Sequence, residues 1–404
     1  MSPRVLASLA AAGMCTLALA ATALSGCAQG GGEAVTLWHA YGGDERAALE
    51  DVVATWNHDH PERTVRLVAV PYDAFADKIT SAIPNGNGPD LFVYPHDRIG
   101  DWVASGLLEP IEFWIDEPTA TRYARAPLAA MAYRGSLWGL PLAMKSLALY
   151  VRTDLVATPP RTTDELFAMA PALRARGVFP LAYPVDDLYG HAPWLHGFGG
   201  QTLDDDGAAR IATPEAAAAA AFARDLVVRG VVPRDADAAL TATLFNEGKA
   251  AMAMSGPWFQ GDIEDGVPWR VTTLPVVSAT GRAAAPFLGA DGVLMSARAR
   301  DKDAAIAVML ALAGDASATV RATRARQLVP NRAAYDGALA ADPVLSGFRG
   351  QLEQTVSMPA VPLMRSVWTP YKNALASVVA GAASPADALD RAAGEIRAYG
   401  EAPR

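Results

Sequence analysis

Cysteine is almost absent from this chain of 404 residues, and both cysteines, Cys15 and Cys27, lie close to its beginning. The rest of the chain therefore has no thiol for a disulfide or for a cysteine-based metal site. Lysine and arginine form no block, and the formal net charge is −9. This balance argues against nucleic acid and anionic membrane surfaces as partners of the globular part. After residue 30 no apolar run is long enough to cross a membrane.

Short motifs that mark common enzyme classes are also missing. No HExxH, paired CxxC, GxSxG or Walker sequence occurs, which leaves zinc, serine-hydrolase and P-loop chemistry without support. Residues 40–43, Ala-Tyr-Gly-Gly, lack the GxGxxG spacing, so a nucleotide cofactor is disfavoured. We therefore expect no cofactor, no metal site and no catalytic residue.

Composition and length predict a folded chain with two cores. Apolar residues make up 51% of the sequence and charged residues 19%, which excludes disorder and favours buried sheets. A chain of 404 residues is too long for a single core, so two lobes of ordinary domain size are expected.

Residues 1–27 have the pattern of an export signal. Arg4 precedes an apolar stretch over residues 5–24, and residues 24–27 read Leu-Ser-Gly-Cys. This tetrad resembles the bacterial lipobox, whose cysteine, here Cys27, receives the lipid and becomes the mature N-terminus. Residues 28–33 predict a flexible tether. An uncleaved signal anchor is the alternative, because about 20 apolar residues span a bilayer, but the position of Cys27 favours a lipid anchor on the extracytoplasmic face of the cell membrane (in the periplasm, if there are two membranes).

Hydrophobic patterns over residues 35–94 alternate between strands and helices. We expect strands at 35–38, 64–70 and 90–94, with helices at 44–58 and 72–83. This βαβαβ order predicts parallel strands, right-handed crossovers and helices on both faces of the sheet. Ligands bind at the carboxyl ends of such strands. The candidates placed there by position alone are Trp38, His39, Tyr41 and Tyr72.

A second α/β region is expected after residues 141–144, Pro-Leu-Ala-Met. Residues 162–165, Thr-Thr-Asp-Glu, form a capping box for a helix that ends near Gly177. Residues 213–215, Thr-Pro-Glu, open an alanine-rich helix that ends at Gly230. Further strands are expected at 147–151 and 250–254, a strand and helix over 291–312, and a last helix after Ser384.

Short segments in a fixed order run along nearly all of the mature chain. They are Gly-Pro-Asp-Leu at 88–91, His-Asp-Arg at 96–98, Ser-Gly-Leu-Leu at 105–108, Gly-Leu-Pro-Leu at 139–142, Leu-Ala-Leu-Tyr at 147–150, residues 245–252, Ser-Gly-Pro-Trp at 255–258, and Met-Pro at 358–359 with Trp368. The ordered set resembles the maltose/maltodextrin-binding proteins, the extracellular solute-binding components of bacterial ABC importers. The resemblance implies a monomeric receptor, not an enzyme, that delivers an oligosaccharide to the transmembrane permease subunits by hinged lobe closure.

The resemblance also implies a fold and its division. The fold is α/β, the two-lobed periplasmic-binding-protein fold of type II, in which each lobe is a doubly wound sheet with helices on both faces. The expected limits are 34–143 plus 293–339 for the first lobe and 147–287 plus 344–404 for the second, with hinges near 143–146, 288–292 and 340–344. The ligand is expected in the cleft between the lobes.

A set of ligand-binding positions is carried over residue by residue. Aromatic rings cover the faces of a sugar, and charged side chains pair with its hydroxyl groups. The set is Tyr94, Asp97, Arg98, Lys145, Asp187, Tyr189, Trp258, Met358, Arg365 and Trp368. Six of them have a structural alternative: a loop ion pair for the adjacent Asp97 and Arg98, and core packing for Tyr94, Met358, Trp258 and Trp368. Asp186 is an equally plausible acid at the place of Asp187.

Two departures from the family pattern keep the ligand class open. Lys145 stands where the maltose binders have a glutamate, and Arg365 replaces a small polar residue. Together they admit an acidic or phosphorylated solute, such as a glycerophosphodiester or a uronate oligosaccharide. A tyrosine expected near residues 235–238 is also absent. A glycoside hydrolase that uses Asp97 and Asp187 is a remote alternative, because it requires two carboxyl groups at a fixed separation.

Overall fold

The computed structural model describes residues 34–204, 207–336 and 342–401. Its strands are β1 Val35–His39, β2 Val65–Ala69, β3 Leu91–Pro95, β4 Ala132–Tyr133, β5 Ser136–Leu137, β6 Gly139–Lys145, β7 Ala148–Arg152, β8 Phe179–Ala182, β9 Ala250–Ser255, β10 Trp269–Thr272, β11 Phe287–Met295 and β12 Val356–Ser357. The predicted signal with Cys27, the tether at 28–33 and residues 340–341 of the third predicted hinge lie outside the described residues.

The helices separate these strands along the chain. They are α1 Gly43–Asp59, α2 Tyr72–Ala82, α3 Ile99–Ala104, α4 Glu117–Thr121, α5 Arg125–Ala130, α6 Thr163–Arg174, α7 Leu188–Gly197, α8 Pro214–Val228, α9 Ala238–Asn246, α10 Lys302–Leu312, α11 Asp315–Ala325, α12 Arg332–Asp336, α13 Pro343–Leu352, α14 Trp368–Val379 and α15 Pro385–Glu401. Short 3-10 helices cover His96–Arg98, Glu112–Trp114, Pro257–Asp262 and Pro362–Ser366. The mixture confirms the predicted α/β class.

The first sheet is built on the predicted βαβαβ unit. Strand β1 lies between β2 and β3 and pairs with both in parallel, and all five of its residues are buried. Strand β11 is added antiparallel to β3, with Gly292 opposite Tyr94, and it also pairs with β6 and β12. The sheet is therefore mixed, because β11 enters it from a distant part of the chain.

The second sheet has the strand order β10-β7-β9-β8. Strands β8 and β9 are parallel, while β7 is antiparallel to both of its neighbours. Helices begin where the capping signals predict: Thr162 accepts the Glu165 amide at the start of α6, and Thr213 accepts the Ala216 amide at the start of α8. These side chains satisfy amides that have no partner within their own helix.

The chain passes between the two sheets at Ser146 and Leu147, where β6 of the first sheet continues into β7 of the second. It returns between β10 and β11. Helix α10 then joins the first core, where Ile306 packs in one cluster with Leu37 and Val293. Helix α13 packs against β10 of the second sheet. The predicted lobe limits describe a division of this kind, and they stay a prediction.

A third cluster of buried residues forms where α7, α8, α14 and α15 meet. It includes Leu195, Ala219, Tyr371 and Leu389. The alanine-rich sequence of α8 allows close packing here, since alanine leaves room for the facing side chains. Among the described residues no single helix is long and apolar enough to cross a membrane, and one bent pair, α10 with α11 at 52°, passes that test by length and composition only.

Candidate functional site

A cleft of about 440 Å³ lies among residues from distant parts of the chain. Its volume falls within the range of roughly 300–1,000 Å³ that small-molecule sites occupy. Four rings and four charged groups surround it. They are Tyr72, Tyr94, Asp97, Arg98, Asp187, Tyr189, Arg365 and Trp368. Seven of these eight belong to the ten ligand-binding residues predicted from the sequence, and Tyr72 was a candidate by position.

Two tyrosines form the aromatic part of the wall next to the first sheet. Tyr94 is near the end of β3 and Tyr72 begins α2, so both lie where parallel strands end. Their rings stack with centroids 5.7 Å apart and planes at 8°. Tyr94 also packs on Phe75 and Trp102. Tyr94 thus packs in the core and also lines the cleft, and burial raises its pKa to about 12, so its phenol stays protonated.

Asp97 and Arg98 follow in the 3-10 helix after β3. Burial raises the pKa of Asp97 to about 7, although the charge of Arg98 opposes the shift. Arg98 makes its ion pair with Asp101, one helical turn later, at 2.9 Å between Nη2 and Oδ2. The alternative of an ion pair between Asp97 and Arg98 is therefore wrong, because Arg98 pairs with Asp101 instead. Among the described residues, the buried Arg98 Nε has no hydrogen-bond partner.

His96, just before Asp97, ties β3 to two other segments. Its Nδ1 accepts the Ala290 amide at 3.1 Å, and Nε2 lies 2.9 Å from the Met358 carbonyl oxygen. This pattern assigns the neutral tautomer with hydrogen on Nε2, and burial lowers the pKa of His96. The side chain of Met358 is buried in a core cluster with Phe287. The structure thus places Met358 in packing rather than among the residues that line the cleft.

The opposite wall comes from α7, α14 and the segment before α14. Asp187 caps α7 and accepts the amides of Tyr189 and Gly190 at 2.8 and 3.2 Å. Asp187 rather than Asp186 lines the cleft. Arg365 lies in the 3-10 helix Pro362–Ser366, and Trp368 is the first residue of α14. The Arg365 Nη1 approaches Asp101 Oδ2 to 3.4 Å, so one carboxylate contacts arginines from both walls.

Lys145 and Trp258 lie beside the lining instead of within it. Tyr189 connects them to the cleft, since its ring centroid is 6.3 Å from that of Trp258. The Lys145 Nζ is 5.9 Å from the Trp258 ring centroid and 2.7 Å from Asp291 Oδ2. Burial lowers the pKa of Lys145, but the charge of Asp291 outweighs burial and the pKa is raised above its usual value. Lys145 is therefore a fully charged, paired lysine.

Tyr72, Asp101 and Asp291 were absent from the predicted ligand set. Asp291 had a visible signal, because it is the one charged residue in a nine-residue buried strand, and a buried charge needs a partner. Asp101 had a weaker signal, its spacing of three residues from Arg98. Trp38 and His39 are buried in β1 and do not line the cleft. Within the described ranges no group of three or more histidine, cysteine or acidic residues can hold a metal ion.

The chain is similar to known binding proteins over most of its length. Residues 51–345 match the model of the family described as bacterial extracellular solute-binding protein. The "Maltotriose-binding protein" of Pyrococcus abyssi is 26% identical over 87% of this chain and 79% of the relative. The "Galactooligosaccharide-binding protein" of Bacillus subtilis is 26% identical and covers 87% of both chains. The solved "Thermus thermophilus maltotriose binding protein bound with maltotriose" is 26% identical, with a TM-score of 0.82 over 90% of this chain and 99% of that one.

These matches confirm the predicted resemblance and the type II periplasmic-binding fold. They also decide the question of catalysis. Two carboxyl groups, Asp97 and Asp187, line the cleft, and one has a raised pKa, which a glycoside hydrolase also requires. The matched family, however, consists of receptors that carry out no reaction, so the remote hydrolase alternative falls. With residues 51–345 matched, the chain belongs to the bacterial extracellular solute-binding protein family and is not an enzyme, as predicted.

Proposed function

We propose that this protein binds an uncharged oligosaccharide of the maltodextrin type in the cleft and delivers it to the permease subunits of an ABC importer. The observation that carries the proposal is the lining, which combines four aromatic rings with four charged side chains. Rings of this kind cover the C–H faces of sugar residues, while carboxylates and guanidinium groups bind hydroxyl groups through charge-assisted hydrogen bonds. A relative of 26% identity is named for maltotriose binding.

Delivery requires a closed form that the permease can distinguish from the open form. Ligand contacts to both walls exist only when the lobes have closed, so ligand binding favours closure. We propose the lobes as 34–143 plus 293–339 and 147–287 plus 344–404, with hinges near 143–146, 288–292 and 340–344. Strands β6 and β11 pair side by side at the first two of these hinges, which gives the movement a common axis.

The charges around the cleft favour an uncharged ligand over an acidic or phosphorylated one. Lys145, one of the two residues that raised the anionic alternative, already pairs with Asp291. Arg365, the other, approaches Asp101. The lining itself has two aspartates and two arginines. A bound anion would therefore have to displace an existing carboxylate or remain beside one.

Galactooligosaccharides are a second candidate class of ligand. The relative named for galactooligosaccharide binding is 26% identical to this chain, the same identity as the relative named for maltotriose binding. Both ligand classes present hydroxyl edges and apolar faces, so the aromatic lining suits either. The two differ in linkage and in one hydroxyl configuration, and hydrogen bonds to placed side chains discriminate such differences.

The test is a calorimetric titration with maltose, maltotriose, a galactotriose, trehalose and glycerophosphocholine. We expect the tightest binding for maltotriose, and loss of at least tenfold in affinity in Asp97→Ala. The matched control is Asp154→Ala, which removes an aspartate of the Arg152 ion pair at the end of β7, outside the cleft lining. Tightest binding of galactotriose would establish the second candidate. Binding of glycerophosphocholine alone would refute the carbohydrate proposal.

We also propose that the mature protein is a monomer held at the extracytoplasmic face by a lipid on Cys27. The sequence Leu-Ser-Gly-Cys at 24–27 supports this anchor. Cys27→Ser is expected to release the protein from the membrane fraction and to abolish labelling by a radioactive fatty acid. Retention of Cys27→Ser in the membrane after a high-salt wash would instead support an uncleaved signal anchor.

A further inference from the structure

We infer that Asp101, a residue outside the cleft lining, determines ligand specificity by pairing with arginines from both walls, and that this pairing keeps the cleft selective for uncharged solutes. Its Oδ2 lies 2.9 Å from Arg98 Nη2 and 3.4 Å from Arg365 Nη1. Within the described residues no other carboxylate forms an ion pair with either arginine. This inference rests on the proposed function, but the measurement of phosphate binding that tests it requires no sugar.

The position of Asp101 is fixed by the backbone as well as by its side chain. The amide of Gly100 donates to the Ala360 carbonyl oxygen at 3.0 Å, which brings α3 against the segment that leads to Arg365. A Cβ atom at residue 100 would come to 2.2 Å from that oxygen, so the approach requires a glycine. Direct contact between these two backbone segments therefore places the Asp101 carboxylate close to Arg365.

The degree of exposure shows which of the two contacts matters more. The side chains of Arg98 and Asp101 are only 17% and 20% exposed, while that of Arg365 is 60% exposed. An ion pair at a largely exposed side chain contributes little stability, because water screens it. The Asp101–Arg365 contact is therefore weak, and the principal effect of Asp101 is to orient the Arg98 guanidinium and to place a negative charge beside it.

Without Asp101, the two arginines would form a site for an anion. A guanidinium group presents planar, paired donors that match a carboxylate or a phosphate. In the wild-type protein, Asp101 Oδ2 lies outside the cleft lining and accepts from one nitrogen of each of these two arginines. Replacing Asp101 by asparagine keeps the shape of the side chain and removes one negative charge beside the Arg98 guanidinium, so we expect anion affinity to change by roughly tenfold.

The first test measures inorganic phosphate binding to the sugar-free protein by tryptophan fluorescence, since Trp368 lines the cleft. We expect Asp101→Asn to bind phosphate at least tenfold more tightly than the wild-type protein. The double variant with Arg98→Gln loses this gain. The matched control, Asp154→Asn, breaks an arginine–aspartate ion pair elsewhere and leaves phosphate binding unchanged. Equal phosphate affinity in wild type and Asp101→Asn would overturn the inference.

The second test compares maltotriose with its derivative oxidised to a uronate at one primary hydroxyl. We expect Asp101→Asn to raise the affinity ratio of uronate to neutral sugar about tenfold and Asp101→Glu to restore the wild-type ratio. A purely structural role of Asp101 would lower both affinities and leave their ratio unchanged, which would overturn the inference. Failure of wild type to bind any neutral sugar would refute the proposed function instead, while the phosphate comparison would still test Asp101.

Discussion

Oligosaccharide binding should depend on pH through Asp97. Burial raises the pKa of this carboxyl group to about 7, so about nine-tenths of it is ionised at pH 8 and about one-tenth at pH 6. A carboxylate accepts hydrogen bonds from two sugar hydroxyl groups, whereas the protonated form must use one oxygen as a donor. If only the ionised form binds well, the affinity for maltotriose falls about tenfold from pH 8 to pH 6.

Titration calorimetry in two buffers of different ionisation enthalpy measures both the affinity and the number of protons released. Near pH 7 we expect about half a proton to be released when maltotriose binds, because the hydroxyl groups stabilise the ionised carboxylate. Asp97→Asn should bind more weakly at pH 8 and should lose both the pH dependence and the proton release. Burial lowers the pKa of His191 to about 3 and that of His196 to about 4, and it also lowers the pKa of the buried His39 and His96, which reduces the proton exchange of these groups near pH 7.

The same shift has a consequence for stability in the absence of sugar. The folded state holds the Asp97 proton more tightly than the unfolded chain, whose carboxyl group has a pKa of 3.8. The contribution of this group to the free energy of unfolding therefore decreases as pH rises from about 4 to about 7.

For the binding prediction, a maltotriose affinity that is constant between pH 6 and pH 8, together with no proton release, would refute the assignment of Asp97 as the hydroxyl-binding carboxylate.

Three substitutions test other parts of the account. Trp258→Ala, which removes a ring 41% exposed beside the cleft, should weaken maltotriose binding at least tenfold, about 1.4 kcal/mol; unchanged affinity in the folded variant would remove it from the site. Gly100→Ala puts a Cβ atom 2.2 Å from a backbone oxygen and should weaken binding by separating the two segments, whereas Gly261→Ala, with no atom within 4 Å, should bind normally. Asp291→Asn, with its acid only 3% exposed, should lower the free energy of unfolding in urea by about 3 kcal/mol, the lower end for breaking a buried pair, by leaving Lys145 unpaired. A loss below about 0.5 kcal/mol, typical of exposed pairs, would contradict the role given to this ion pair.

Local patterns in the sequence were sufficient for the first part of the fold. The predicted strands at 35–38, 64–70 and 90–94 agree with β1, β2 and β3 within two residues at each end. Their parallel pairing followed from the intervening helices. The rule that ligands bind where such strands end placed Tyr72, Tyr94 and Asp97 at the cleft. These predictions hold because strand direction and side-chain position are set over short distances along the chain.

Contacts between distant segments were not accessible in the same way. Nothing in the pattern of β11 shows that it pairs antiparallel with both β3 and β6, since an apolar strand has the same composition in either direction. The pairing of Lys145 with Asp291 and of Arg365 with Asp101 depends on this topology. The sequence therefore identified the cations of the cleft but not the carboxylates that neutralise them, and an anionic ligand remained open until the partners were located.

Small-angle scattering of the mature protein, with and without saturating maltotriose, tests the central claim most directly. In the proposed mechanism the ligand contacts both walls of one cleft, so binding requires the two halves to approach. The predicted result is a smaller radius of gyration and a changed profile with maltotriose, and no change with glycerophosphocholine. Identical profiles with and without maltotriose, under conditions where calorimetry shows binding, would contradict a receptor that works by closure.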